Sequence, residues 1–319
     1  MKGFDREGYE RLLDSVLSRH QSVQTAGFNG DSYKPGLGGI STFDAAIGSP
    51  SMALKCIHVA GTNGKGSVSH MLASDIAATG MRVGLYTSPH LLDFRERIRL
   101  VHDGGYELIG EEDVFEFFFF HQEQFDRLGL SFFDITTELA FWWMAREKVD
   151  MAVIETGLGG RLDSTNIINA ELSVITSIGL DHCSILGRTR ALIAAEKAGI
   201  FKPGKPALVA ARDSETAPIF ESKAIELGCP LTFADEGEIE LTDIIGRMDL
   251  TGDYQRQNLR TAVRALNILG IPVRSDALAN AAKRTGLRGR WEILSDAPLT
   301  IAELPKAVEY SPLVLTKAL

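Results

Sequence analysis

The chain has 319 residues, 45% hydrophobic and 24% charged, an ordinary globular composition with enough length to bury a core without disulfide or metal staples. A net charge of −9 argues against a broad nucleic-acid-binding surface. Cys56, Cys183 and Cys229 are far apart and show no Cys-x-x-Cys spacing, so no disulfide framework and a reducing, cytoplasmic setting are expected.

The N-terminal segment is acidic and amphipathic and has no apolar stretch of the signal-peptide kind. Apolar residues at helical spacing (Tyr9, Leu12, Leu13, Val16, Leu17) predict a helix over 5–20. Residues 21–39, with several glycines and Pro35, read as a loop. Residues 54–60 (LKCIHVA) form a buried strand, 61–67 the turn after it, 68–79 a helix closed by Gly80, and 82–86 the next strand. Strand, glycine-rich turn, helix, strand is a βαβ unit, which implies a parallel sheet. Residues 111–128 and 134–148 read as helices, 150–155 and 172–177 as buried strands. A helix over 190–201 is stopped by Pro203 and Gly204. A strand at 207–210 and a helix at 256–269 complete the pattern. The longest apolar run, 114–120, is broken by Glu116 and is too short to span a bilayer. The expected fold class is α/β with a mostly parallel sheet flanked by helices.

The strongest local signal is Gly61-Thr62-Asn63-Gly64-Lys65-Gly66-Ser67. Val59 stands where the first glycine of the common P-loop spacing would sit. The physics is the same. Glycines let backbone amides approach phosphate oxygens, the next helix points its positive end at them, and a lysine neutralises the charge. A bare βα turn needs one or two glycines, so three around a lysine favour a nucleotide phosphate site.

Three further groups follow strands. Glu155 ends the apolar strand DMAVIE and precedes Thr156-Gly157-Leu158-Gly159-Gly160. Asp181-His182 follows LSVITSIGL, and Ser88 follows the strand ending at Tyr86. An isolated glutamate there is more often a solvated charge, and a lone histidine more often a structural hydrogen-bonder. Their convergence on the C-terminal edge of a parallel sheet, where α/β proteins bind ligands, is the better evidence. Mg²⁺ with ATP takes hard oxygen ligands of this kind. Lys197, in AAEKAGI, reads on its own as a solvated helix lysine.

Taken together, these stretches resemble the folylpolyglutamate synthase and dihydrofolate synthase family of the Mur ligase superfamily. The matching segments are YKPGLGGIS (33–41), HVAGTNGKGSVSHML (58–72), GLYTSPHLLDFRERIRL (84–100), SFFDITTELAF (131–141), VIETGLGGRLDSTNII (153–168), ITSIGLDHCSILG (175–187), AAEKAGIFKPG (194–204), RQNLRTAVRAL (256–266) and GRWEIL (289–294). GTNGKGS is shared across Mur-type ligases, whereas TSPHL with the RERI that follows, and ETGLGGRLDSTN, are much more specific to the folate branch. The resemblance implies an ATP-dependent ligase joining L-glutamate to a folate or dihydropteroate carboxylate through an acyl phosphate. It implies that Gly61, Thr62, Asn63, Gly64, Lys65, Gly66, Ser67, Asn258 and Arg290 bind ATP. Ser88, Glu155 and His182 would bind Mg²⁺. Lys65, His182 and Lys197 would be catalytic, Lys197 as a carbamate. Thr87, Ser88, Pro89, His90, Phe132 and Phe133 would surround the folate. The implied partners are small molecules only (ATP, glutamate, folate or dihydropteroate), with no nucleic acid, no membrane and a monomeric chain.

After GRWEILSDAPLTIA the sequence leaves the family pattern, which continues with an Asp-x-x-His-Asn motif and a second domain. The expected organisation is a Mur-ligase-like ATP-binding domain over 1–295 and a divergent remnant over 296–319, with the C-terminal domain absent or truncated. A catalytically impaired nucleotide-binding remnant is therefore the alternative to an active ligase. A cell-wall Mur ligase is disfavoured by TSPHL and ETGLGGRLDSTN, and a generic P-loop hydrolase or kinase explains only GTNGKGS.

Overall fold

A computed structural model describes residues 4–20, 36–289, 292–296 and 299–302. Helix α1, Arg6–Arg19, begins where the Asp5 carboxylate accepts from the Gly8 amide at 2.6 Å. Helix α2, Gly38–Ala46, corrects part of the loop expected over 21–39, because Gly38 and Gly39 are helical. Burial of Ile40 and Phe43 outweighs the poor helix propensity of the two glycines. Residues 21–35 lie outside the described residues.

Strand β1, Cys56–Ala60, is buried at every position. Helix α3, Lys65–Ala77, starts three residues earlier than its apolar pattern suggests. Strand β2, Val83–Tyr86, leads into a hairpin of β3, Ile98–His102, and β4, Gly105–Leu108. The apolar pattern hides this hairpin because a buried position in it is charged: Arg99 is buried in β3, as is Arg97 just before it. Helix α4, Glu111–Leu128, is followed by α5, Phe132–Arg146. A reciprocal cap between Ser131 and Asp134 starts α5 two residues before the expected position. Then come β5, Met151–Glu155; β6, Leu172–Ile175; α6, Arg190–Ala198; β7, Ala207–Val209; α7, Ala217–Leu227; β8, Leu231–Phe233; and α8, Tyr254–Ile268. Strands β9, Glu292–Asp296, and β10, Leu299–Ala302, form a separate antiparallel pair. The expected domain boundary at 295 falls within β9, and 303–319 lie outside the described residues.

The main sheet has the order β4-β3-β2-β5-β1-β6-β7-β8. From β2 to β8 every neighbouring pair is parallel, and the β2–β3 and β3–β4 pairs at the other edge are antiparallel. One core layer joins Ile57, Val59, Val153 and Val174 to α3 and α8 through Met71, Leu72, Leu259 and Leu266. The other joins Cys56, Ala152 and Ile154 to α4 and α5 through Phe117, Phe125, Ile135 and Leu139. Helices on both faces explain why the central strands read as continuous apolar runs. The chain leaves β1 towards β2 on one side and returns beyond it from β5 to β6 on the other. That reversal opens a crevice at the strand C-termini, the usual ligand position in such sheets.

Glu138 on α5 is fully buried, and neither carboxylate oxygen has a protein partner among the described residues. Burial, reinforced by Asp44 and Asp134, pushes its carboxyl well above the ordinary glutamate range. The folded state therefore holds a proton that the unfolded chain releases. Stability falls as pH rises above the unfolded value, by about 1.4 kcal/mol per unit until the folded value is reached. Glu138→Gln is expected to flatten that decline, and denaturant unfolding at pH 5 and at pH 8 checks it.

Candidate active site

The turn after β1 is held in place from β6 rather than by its own residues alone. The Thr62 amide donates to the Ser177 carbonyl at 2.7 Å, and the Asn63 amide to the Ser177 hydroxyl at 3.0 Å. Thr176 donates its hydroxyl to the Asn63 carbonyl at 2.6 Å. A side chain at Gly61 would come within 1.9 Å of the Thr176 hydroxyl, so only glycine lets the two strand ends approach. Gly64 caps α3 in the left-handed region, with φ +84°, and a Cβ there would lie 2.3 Å from Asn258 Oδ1. Asn258 is fixed by donating to Gln255 at 2.9 Å, and Gln255 donates to Ser67 at 3.2 Å. Gly64→Ala is expected to weaken ATP binding about tenfold, since a side chain in that region costs ~1–2 kcal/mol before the collision with Asn258 is counted. Calorimetric titration with Mg-ATP checks this.

Lys65 follows the cap, so its ammonium sits at the positive end of α3. Its Nζ donates to the Gly61 carbonyl at 3.2 Å and lies 4.0 Å from Glu155 Oε1. Glu155, 4% exposed, accepts from the Ser88 amide at 3.2 Å through its other oxygen. Lys197 on α6 is not the solvated lysine its sequence context suggests. It is 4% exposed and donates to the same Gly61 carbonyl at 2.8 Å. Burial, then the nearby Lys65 charge, push its amine down to about 7, with Asp163 and Asp181 acting in the opposite sense. Lys65 and Lys197 thus meet at one carbonyl at the crevice, with Glu155, held by the Ser88 amide, beside Lys65.

His182 adopts the left-handed conformation, φ 50°, uncommon for a non-glycine residue. Its amide donates to Asp181 Oδ1 at 2.9 Å, and its Nε2 lies 3.8 Å from the same oxygen. The expected folate segment divides. Phe133 packs on the turn after Glu155, where a Cβ at Gly157 would meet its ring at 2.6 Å. Phe132, 3% exposed, is a core side chain beneath the Arg97 guanidinium, which lies 5.3 Å from the ring centroid. Thr87 accepts from Arg99 at 3.3 Å, and the His90 Nδ1 accepts from Arg97 at 2.8 Å. Burial and the Arg97 charge push His90 down to about 4. Pro89 lies between Ser88 and His90, and Arg290 lies outside the described residues.

Among the described residues no group of three or more His, Cys, Asp or Glu is spaced to hold a metal alone. The donor set nevertheless fits Mg²⁺, which commonly takes one or two protein carboxylates and completes its shell with phosphate oxygens and waters. Glu155 supplies such a carboxylate. Beside it, the Thr156 hydroxyl is buried with no protein partner among the described residues. Residues that the sequence patterns did not single out include His58, Asp163, Thr165, Thr176, Ser177 and Gln255. For His58, Thr176 and Ser177, polar residues inside or just after apolar strands were the available signal.

A comparison with protein-family models gives no match. Among curated proteins, the chain is 34% identical over 287 residues to the dihydrofolate synthase/folylpolyglutamate synthase of Escherichia coli (strain K12), covering 86% of this chain and 67% of that protein. It is 36% identical over 296 residues to the Bacillus subtilis (strain 168) protein of the same name, covering 83% and 67%. The chain belongs to the dihydrofolate synthase/folylpolyglutamate synthase family. Solved structures agree with that placement. The Thermotoga maritima folylpolyglutamate synthase superposes with a TM-score of 0.76 at 31% identity, over 90% of this chain and 68% of that one. E. coli FolC, solved with DHPP and ADP, gives a TM-score of 0.77 at 29% identity, over 93% and 70%. The Mur-ligase-like α/β fold of this family member is therefore shared with them. Among its described residues no helix is long and apolar enough to cross a membrane, and its three cysteines are free.

Proposed function

We propose that this protein is an ATP-dependent ligase that joins L-glutamate to the carboxylate of a folate or a dihydropteroate. The observation that carries this reading is the meeting of Lys65 and Lys197 at the Gly61 carbonyl, with Glu155 beside Lys65, on the ligand-binding edge of the sheet. The acceptor carboxylate attacks the γ-phosphorus of ATP, ADP leaves, and an acyl phosphate forms. The glutamate amine then attacks the acyl carbon, phosphate leaves, and the amine loses a proton. No protein nucleophile is needed, so the site's work is positioning and charge neutralisation.

Lys65 and the backbone amides at the start of α3 hold the phosphates, and Asn258 braces that loop. Mg²⁺, when bound by Glu155 with Ser88 and His182, supplies positive charge to the phosphate oxygens. With its amine depressed to about 7, Lys197 is substantially neutral at physiological pH. Its lone pair is then free to add to CO₂, and the nitrogen loses a proton to solvent, giving a carbamate with carboxylate-like oxygens. The folate lies towards Phe133 and the Thr87–His90 segment. The partners are ATP, glutamate and the pterin acceptor, with a monomeric, cytoplasmic protein. ADP release by the purified chain tests this. Release that requires both pterin acceptor and glutamate is expected, and release independent of either contradicts the reading.

A further inference from the structure

His58 is fully buried on β1 and takes no part in holding phosphate or metal. Its Nε2 lies 2.8 Å from the Thr165 hydroxyl oxygen. Thr165 is fully buried in the 3-10 turn Ser164–Ile167, and its hydroxyl donates to Asp163 Oδ1. A threonine hydroxyl has one hydrogen. With that hydrogen on Asp163, its oxygen accepts from His58, which fixes the Nε2–H tautomer. Nδ1 then has no protein partner among the described residues, and burial holds the ring neutral, pushed down to about 3.

Asp163 is the end of this chain of donors. Its Oδ1 also accepts the Thr165 amide at 3.0 Å, and its Oδ2 accepts the Leu158 amide at 2.7 Å. Gly157 and Leu158 open the turn that follows Glu155. The other end of that turn is pinned to α6. The Arg161 amide donates to the Glu196 carbonyl at 2.8 Å, and a Cβ at Gly160 would lie 3.0 Å from the Lys197 Cα. The turn therefore fills the space between Glu155 on β5 and Lys197 on α6.

We infer that His58 and Thr165 are positioning residues for the ligation: through Asp163 they fix the 157–160 turn, and through that turn the placement of Glu155 relative to Lys197. This rests on the ligase reading above. Neither residue touches the reactants, so its effect falls on the geometry of the transferring phosphate and leaves nucleotide capture on the Gly61–Ser67 loop unchanged.

Thr165→Val keeps the side-chain shape and removes the hydroxyl, while Thr165→Ser restores it. The valine variant is expected to lose kcat by about tenfold or more with KM for ATP close to the parent's, and its Leu158 amide to exchange with solvent faster. The serine variant is expected to recover both. Should the valine variant fail to fold, His58→Leu and His58→Gln give the same comparison, because glutamine keeps an N–H donor. Parental kcat and parental Leu158 exchange in the valine variant overturn the inference, as does a serine variant impaired equally with valine. If the parent shows no ligation, the ligase reading falls, while the exchange measurement still decides the hydrogen-bond linkage.

Discussion

Lys65→Ala is expected to lower the ligation rate by about two to three orders of magnitude, the scale of removing one preorganised charge from a transferring group. The lysine is not a passive surface cation. The left-handed cap at Gly64 delivers it to the helix N-terminus, and its ammonium hangs between the Gly61 carbonyl and Glu155. Its removal leaves the loop amides and the helix end to face the triphosphate alone. The fold should be little affected, because the side chain contributes nothing to either core layer. Lys65→Arg is expected to fail as well, since a planar guanidinium does not replace a compact ammonium at a single carbonyl. Steady-state kinetics beside thermal melting of both variants checks the dissociation of activity from stability.

Lys197→Met is expected to show the complementary pattern, with kcat reduced by about two orders of magnitude or more but a raised melting temperature at neutral pH. The parent amine is depressed to about 7 by burial and by Lys65, so the unfolded chain holds the lysine proton more tightly than the folded one. Stability from this group accordingly rises with pH from about 7 towards the ordinary lysine range, and it is at its lowest below 7. Methionine removes the buried charge and keeps the volume, so the variant gains stability where the parent is strained. In the parent, activity is expected to climb as pH passes through about 7 and to respond to added bicarbonate. The methionine variant should lack the bicarbonate response. Kinetics in bicarbonate-free and bicarbonate-supplemented buffer, with unfolding curves at matched pH, measures both effects.

The central part of this site was readable in the sequence because parallel-sheet geometry forces it. Once β1, β2, β5 and β6 are recognised as buried strands of one sheet, the residues after them must share an edge, whatever the connecting loops do. That logic expects Ser88, Glu155 and Asp181-His182 on one edge; the Ser88 amide does meet Glu155, and Lys65 lies beside it. It failed for Lys197, whose helical context looks solvated, because burial of α6 against the 157–160 turn is a tertiary fact with no local signature. The same holds for Asp163 and Thr165, which read as a loop until the fold closes it around His58. Phe132 and Phe133 are adjacent in sequence, but the helical start at Ser131 sends one into the core and the other to the turn after Glu155. The β3–β4 hairpin is hidden because Arg99 in β3 is a buried charge, held through its terminal nitrogens by Thr87 and the Glu96 and Gly286 carbonyls instead of by solvent. Helix α2 escaped because its glycines are compensated by packing alone.

The most direct test of the account is the covalent product. The purified chain, incubated with Mg-ATP, glutamate and either dihydropteroate or tetrahydrofolate, is analysed by mass spectrometry of the pterin fraction. A product carrying one added glutamyl residue is expected, formed only with ATP and strongly reduced with Lys65→Ala. ATP turnover without any glutamylated pterin would contradict it.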